Sequence, residues 1–420
     1  MTKVDIKRFC AGHGDLVLLA DCAIVATNKL RNEAERDRLG EGSFGGADPG
    51  GDPLIAGFVP STGPLGAERT HRRMPATLAP EVGTMVKSRV DGDTRLVLAN
   101  PYGRRALQRR GLARLGPLPD LPSPVDMARD PLAGPARACP RCCHPFAVEV
   151  DDRDQFPVAV VGHQAATKTS TILALMEAVD SRGPKILGVP EFAATTYTGE
   201  YLDQIDPKMR ARYREAARTP GTDPGFKALR TPGTDPDLRH PPLQFLTTLA
   251  PTARRPSEEQ AILLMQDVAG EHLMNHQRRP YVAPITLWAD AVVFVYNPDA
   301  APTVATAHAS GQASLLNAVR EDIQRSGRPL PPLLVAISKA DKLSPRPAAS
   351  QGPAPQEQAR AVLERLGDAA MLDAARQWRR PVDGTADGAT VQWFFIAPLP
   401  EDDSQPQGVP ELFRTLLSLL

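Results

Sequence analysis

Five short apolar runs in the second half of the chain limit the folds open to it: residues 157–161 (PVAVV), 261–265 (AILLM), 291–296 (AVVFVY), 333–337 (LLVAI) and 391–396 (VQWFFI). Each has strand length and is apolar throughout rather than alternating, which is how a strand buried on both faces reads. Helix-like segments at 169–179, 313–325 and 356–372 lie between them, and an amphipathic stretch at 410–420 (PELFRTLLSLL) closes the chain. Strands of this kind alternating with helices predict an α/β fold, a mostly parallel sheet with helices on both faces.

The first part of the chain has a different texture. Proline is about one residue in ten, 43 of 420, and aromatics are only 5%, so long stretches are loop while the core is concentrated elsewhere. Residues 1–150 read as a small irregular β region. Residues 16–26 (LVLLADCAIVA) read as a buried strand, 31–80 as a Gly/Pro-rich linker, and 81–100 as two short strands about the Val90-Asp91-Gly92-Asp93 turn. Residues 101–138 read as irregular, with an Arg-rich run at 104–114 that suits a solvated helix face. Residues 151–420 form the second domain, interrupted by a Pro-rich insertion at 183–257 that carries RTPGTDP twice, at 218–224 and 230–236. A repeat so short is a duplicated turn rather than a solenoid.

Charge is balanced, 49 basic against 49 acidic residues, which argues against a nucleic-acid or anionic-membrane partner. No apolar run approaches the ~18–20 residues of a membrane span, and a cytoplasmic location is expected. The five cysteines, two of them adjacent, do not form the pattern of an oxidised secreted framework.

Chemistry-bearing motifs follow the apolar runs in order. After the first comes GHQAATKT: Gly162, then Thr167, Lys168 and Thr169 ahead of a helical segment. This is the frame of the phosphate-binding loop G-x-x-x-x-G-K-[ST], in which backbone N–H groups and a helix N-terminus face the phosphates, Lys168 reaches their oxygens and the Thr169 hydroxyl holds Mg²⁺. Thr167 stands where the second glycine belongs, and a β-branched residue is poorly suited to the backbone angles and close approach needed there. After the second run, QDVAGE offers Asp267 and Gly270 in D-x-x-G spacing, the carboxylate for Mg²⁺ and the glycine N–H for a γ-phosphate, with Glu271 in the slot of a water-orienting residue. After the fourth, Ser338-Lys339-Ala340-Asp341 matches [NT]-K-x-D with Ser in first place; Asp341 would accept N1–H and N2–H of guanine, and the Lys339 stem would pack over the base. After the fifth comes Ala397-Pro398-Leu399, a further candidate loop over the base. His163 lies within the phosphate loop, and Thr195, Thr196 and Thr198 are candidates for a switch threonine.

The remaining constellation is thiol-based. Cys139-Pro-Arg-Cys142 is half of a zinc knuckle, and Cys10-Ala-Gly-His13 has the same spacing and is the best candidate for the other half. Cys22, or Cys143 and His144, are alternatives.

Taken together, VVGHQAATKT, QDVAGE, WADAVVFVYNP, VAISKADKL and GVPELFRTLL resemble bacterial GTPases of the TRAFAC clade, and most nearly the double-GTPase type of bacterial conflict systems, over about residues 139–420. The PGT-containing stretch before the 261–265 run resembles that family's insertion. The resemblance implies a GTPase-like P-loop fold preceded by a zinc-ribbon-like segment, with GTP and Mg²⁺ as ligands and zinc in the ribbon. It also implies a nucleotide-dependent switch that licenses a protein effector, and it invites a GTPase–GTPase dimer. Two functions are in competition. One is a GTP-binding switch with slow hydrolysis; the other, motivated by Thr167, Ser338 and Ala397-Pro398, is a degenerate pseudo-GTPase serving as a protein-interaction scaffold.

Overall fold

The computed structural model describes residues 7–10, 15–18, 22–26, 85–87, 94–99, 135–140, 144–146, 150, 153–163, 166–195, 198, 242–251, 257–267, 285–300, 311–345, 347, 352–379, 390–398 and 407–420. The chain divides into two compact units, one comprising Met1–Gln155 with Thr234–Pro241, the other Phe156–Gly233 with Pro242–Leu420.

In the first unit, β1 (Lys7–Cys10) pairs antiparallel with β2 (Asp15–Leu18). A separate four-stranded sheet runs in the order β4-β5-β3-β6, with β3 Ala23–Ala26, β4 Met85–Lys87, β5 Thr94–Ala99 and β6 Pro135–Ala138. The run 16–26 is therefore not one strand but parts of two strands in two sheets. The expected pair about the Asp-Gly turn forms, Met85 opposite Leu96 and Lys87 opposite Thr94, while the turn lies outside the described residues. Residues 101–138, expected to be irregular, end in a strand, because β6 completes the sheet against β3. Buried Arg8 links the unit internally, its Nε donating to the Val150 carbonyl at 2.9 Å.

The second unit is built on a seven-stranded sheet of order β13-β12-β11-β7-β10-β9-β8. The strands are β7 (Asp154–Gly162), β8 (Phe192–Ala194), β9 (Leu243–Leu249), β10 (Glu259–Asp267), β11 (Ala291–Tyr296), β12 (Leu333–Ile337) and β13 (Val391–Phe395). β7, β11, β12 and β13 are mutually parallel; β9 is antiparallel to both β10 and β8. All five apolar runs are strands of this sheet. β8 and β9 were not foreseen, and both come from the segment read as an insertion. Leu243, Phe245 and Leu249 sit on one face of β9 and are buried, a period-2 pattern masked in the sequence by the flanking prolines.

The helices are α1 (Lys168–Arg182), the short α2 (Ile285–Trp288), α3 (Gly311–Arg325), α4 (Gln356–Arg365), α5 (Ala369–Trp378) and α6 (Val409–Leu419). One face of the sheet packs Val158, Val160, Val293 and Leu263 against Ile172 of α1 and Phe413 of α6. The opposite face carries Tyr296, whose hydroxyl donates to Asp368 at the start of α5, so helices cover both faces as predicted. The single helix expected over 356–372 is two. Gly367 takes φ +72°, and Asp368 then caps α5, its carboxylate accepting from the Met371 N–H at 3.1 Å. No helix of the described residues is long and apolar enough to cross a membrane.

Candidate functional site

The parallel register puts the loops after β7, β11, β12 and β13 along one edge of the sheet. The chain leaves β7 toward β10, β9 and β8 and returns to the other side of β7 as β11. The loop after β7 thus stands at the reversal of strand order, where open α/β sheets bind their ligands.

Gly162 ends β7 opposite Val295, and a Cβ there would come within 2.4 Å of the Val295 carbonyl oxygen; only glycine lets the two strands approach. The chain then turns sharply, Ala166 N donating to His163 O at 3.2 Å, and enters α1. Thr167 is the residue before the helix and holds φ 63°, ψ 21°. Threonine here adopts the left-handed conformation that glycine would supply, and as a β-branched residue it does so under strain. Its Oγ1 is buried with no hydrogen-bond partner, while its carbonyl accepts from Thr171 N at 2.8 Å and Thr171 Oγ1 at 2.9 Å. No side chain caps α1 and no acidic residue lies in its first turn, which leaves the positive end of a 15-residue helix suited to an anion. Lys168 is buried, its Nζ donating to the carbonyls of Gly162 and His163 at 3.0 Å each, so the ammonium spans the loop from within. Thr169, the second residue of α1, is also buried.

Asp267 is the last residue of β10, the strand hydrogen-bonded to β7. Gly270 and Glu271 lie outside the described residues, as does Thr196. Thr195 and Thr198 are buried and their hydroxyls are engaged: Thr198 Oγ1 accepts from Gln244 N of β9 at 2.7 Å, and Thr195 Oγ1 accepts locally from Thr198 N at 3.3 Å.

After β12, Ser338 is fully buried and both its N–H and its Oγ donate to the Tyr296 carbonyl, at 2.9 and 2.8 Å. The serine that departs from the Asn/Thr pattern thus sews β12 to β11 through its hydroxyl. Lys339 follows with φ 53°, ψ 38°, and Ala340–Lys342, which includes Asp341, forms one 3₁₀ turn. Ala340 N donates to Ile396 O at 3.1 Å, which ties the turn to the end of β13. There Ala397 bridges to Gln407 ahead of α6; Leu399 lies outside the described residues. Thr167 and Lys339 are the two non-glycine residues with positive φ among the described residues, and each directly precedes a helical turn. Such conformations cost ~1–3 kcal/mol each and persist where the surroundings over-determine them.

Sequence reasoning missed the residues that support this arrangement. Gln312 in the first turn of α3 is fully buried; its Oε1 accepts from Asn297 N at 2.7 Å and its Nε2 donates to Asn297 O at 2.9 Å. Asn297 Oδ1 in turn accepts from Asp299 N at 3.2 Å, and Asp299 pairs with Lys339. The available signal was an Asn-Pro-Asp immediately after an unbroken apolar strand.

In the first unit, Cys10, Cys22 and Cys139 are fully buried. The β3–β6 register, carried one residue past Ala23 and Ala138, sets Cys22 opposite Cys139. The chain beyond Cys139 doubles back, with Cys139 N donating to His144 O at 2.9 Å and Phe146 N to Arg137 O at 2.8 Å. Cys142 and His13 lie outside the described residues, among which no three His, Cys, Asp or Glu side chains come together as a metal site.

No protein-family model matches the chain, and no curated protein matches it. Among solved structures, a signal recognition particle receptor SRb-GTP/SRX complex from Chaetomium thermophilum aligns at TM-score 0.30 and 15% identity, over 64% of this chain and 99% of its own. The SRb-GDP-Mg form from that organism gives 0.27 and 15%, again over 64% and 99%. A sup35 structure complexed with GDP gives 0.25 and 13%, over 59% and 38%. The fold class of this chain rests on its own strand order and register.

Proposed function

We propose that the second unit is a guanine-nucleotide-binding, P-loop GTPase-type switch. The observation that supports this most is the pair of left-handed, non-glycine residues, Thr167 and Lys339, each in a loop that the sequence motifs assign to nucleotide. Folding has no reason to keep two strained residues on one sheet edge unless the loops they shape have a use. In this reading the Gly162–Thr169 loop and the N-terminus of α1 hold the β- and γ-phosphates, and Lys168 supplies the compensating charge. Thr169 and Asp267, hard oxygen donors, suit Mg²⁺. Asp341 selects guanine, Ser338 and Lys339 shape its loop, Gly270 senses the γ-phosphate and Glu271 orients water for slow hydrolysis.

Following the family resemblance, the proposal extends to a protein effector licensed by the GTP state, to a GTPase–GTPase dimer and to a role in bacterial conflict or signalling. It also extends to a structural zinc held by Cys139 and Cys142 with Cys10 and His13; the strand register, with Cys22 opposite Cys139, supports Cys22 among the alternative ligands. Metal analysis of the purified chain should find about one zinc per molecule, and a metal-free chain indifferent to chelators would overturn that part.

The central test is a titration with fluorescent GTP and Mg²⁺ beside ATP, for the wild type and Lys168→Ala. Saturable binding that prefers GTP and is lost in Lys168→Ala supports the switch. Equal affinity for ATP removes the guanine assignment. No binding at millimolar nucleotide favours the pseudo-GTPase scaffold instead.

A further inference from the structure

Lys339 occupies a left-handed conformation, φ 53°, in a loop whose neighbours are well anchored: Ser338 to Tyr296, Ala340 to Ile396. The lysine itself is held through its side chain. Its ammonium pairs with Asp299 Oδ2, and the lysine side chain is 21% exposed against 55% for the aspartate. Asp299 is not a casual surface partner. Its N–H is fixed by the Asn297 side chain, and the Asn297 backbone is gripped on both its N–H and C=O by a single buried glutamine. Burying a glutamine side chain costs free energy unless its polar atoms are satisfied. Both ends of Gln312 go to one residue, the first after β11, so the clamp serves to fix where that chain leaves the sheet.

We propose that Asp299 is the positioning residue for Lys339 and that Gln312, through Asn297, is the positioning residue for Asp299. This rests on the guanine-nucleotide reading of the site. The carboxylate draws the ammonium away from the base and stretches the four-carbon stem into a flat apolar surface for a purine. Once the stem is set before the ligand arrives, binding does not have to order it. The contribution concerns the base and leaves the phosphate loop alone. A half-exposed ion pair of this kind is worth about fivefold at most in affinity.

The test is a double-mutant cycle on the full chain, with fluorescent GDP as probe of the whole ligand and tripolyphosphate as probe of the phosphate loop alone. Asp299→Ala should weaken GDP about 3–5-fold, chiefly through faster release, and leave tripolyphosphate binding unchanged. Asp299→Glu should recover part of the loss. In a Lys339→Met background, which keeps the apolar stem and removes the ammonium, Asp299→Ala should cost nothing further. Gln312→Ala should reproduce the GDP loss, although it reaches no ligand. Additive losses in the double variant, or an equal loss for tripolyphosphate, would mean a general structural role and overturn the assignment. So would undiminished GDP affinity in Asp299→Ala. A wild type that binds tripolyphosphate but no guanine nucleotide overturns the functional reading itself, an outcome separate from these.

Discussion

Replacing Thr167 with glycine is expected to stabilise the sheet unit by about 1 kcal/mol, and the sum can be worked from the backbone. At φ 63°, ψ 21° an L residue bears ~1–2 kcal/mol of strain, with a β-branched residue at the upper end. Its buried Oγ1 has no hydrogen-bond partner, which adds ~1 kcal/mol. Glycine removes both. Against this, glycine has ~0.5–1 kcal/mol more conformational freedom to lose on folding, and the lost methyl gives up to ~0.8 kcal/mol. The difference leaves about 1 kcal/mol, or ~2–4 °C in the melting midpoint for a unit of this size. The assay is urea and thermal unfolding of wild type, Thr167→Gly, Thr167→Asn and Thr167→Ala. Asparagine, which tolerates the left-handed region, should fall between threonine and glycine; alanine keeps the strain and should change little. A glycine variant less stable than wild type, or one matched by alanine, would refute the reasoning, since the backbone would then not be strained. Nucleotide binding by Thr167→Gly should be retained or strengthened.

Gly162→Ala should destabilise by ~2–3 kcal/mol, because the added Cβ would lie 2.4 Å from the Val295 carbonyl on the adjoining strand; a urea midpoint within error of wild type would contradict the close approach. Asp368→Ala should cost ~2–4 kcal/mol, the sum of a lost cap on α5 and an orphaned, fully buried Tyr296 hydroxyl, with Asp368→Asn recovering much of it. Asp290 offers a pH test: burial raises its carboxyl from 3.8 to about 6, with Arg328 working in the other direction. Between those values the native state binds more protons than the unfolded chain, so stability falls as pH rises through the window. The side chain is 35% exposed, which limits the effect to ~1 kcal/mol. Asp290→Asn should remove that slope from urea midpoints measured across the window, and an unchanged slope would exclude Asp290 as its source.

The parallel core strands were legible because burial on both faces leaves an unbroken apolar run that needs no partner to recognise. β9 was hidden because, beside the flanking prolines, two threonines and a glutamine interrupt LQFLTTL, and Gln244 and Thr247 are buried only once β10 and β8 flank the strand. β6 was hidden for the same reason, since PARA has no strand signature until β3 lies beside it. Helices α4 and α5 were read as one because Gly367-Asp368 breaks the helix through a φ of +72° and a side-chain cap, neither of which interrupts the apolar periodicity.

For the candidate site, local sequence determined which residue types stand at the strand ends: Gly162, Lys168 and Thr169 after one strand, Ser338, Lys339 and Asp341 after another. Those are short-range matters of spacing, and the chain carries them whatever its fold. Only the tertiary structure decided what holds these residues and in which backbone conformation. Whether Thr167 bars the loop or completes it depends on a backbone angle imposed by the strand and helix on either side. Whether Ser338 weakens a motif or joins two strands depends on Tyr296, 42 residues away in the chain. The Gln312–Asn297–Asp299–Lys339 relay spans α3 and the ends of β11 and β12. No window of the sequence holds it, because hydrogen bonds between distant segments leave no periodicity behind.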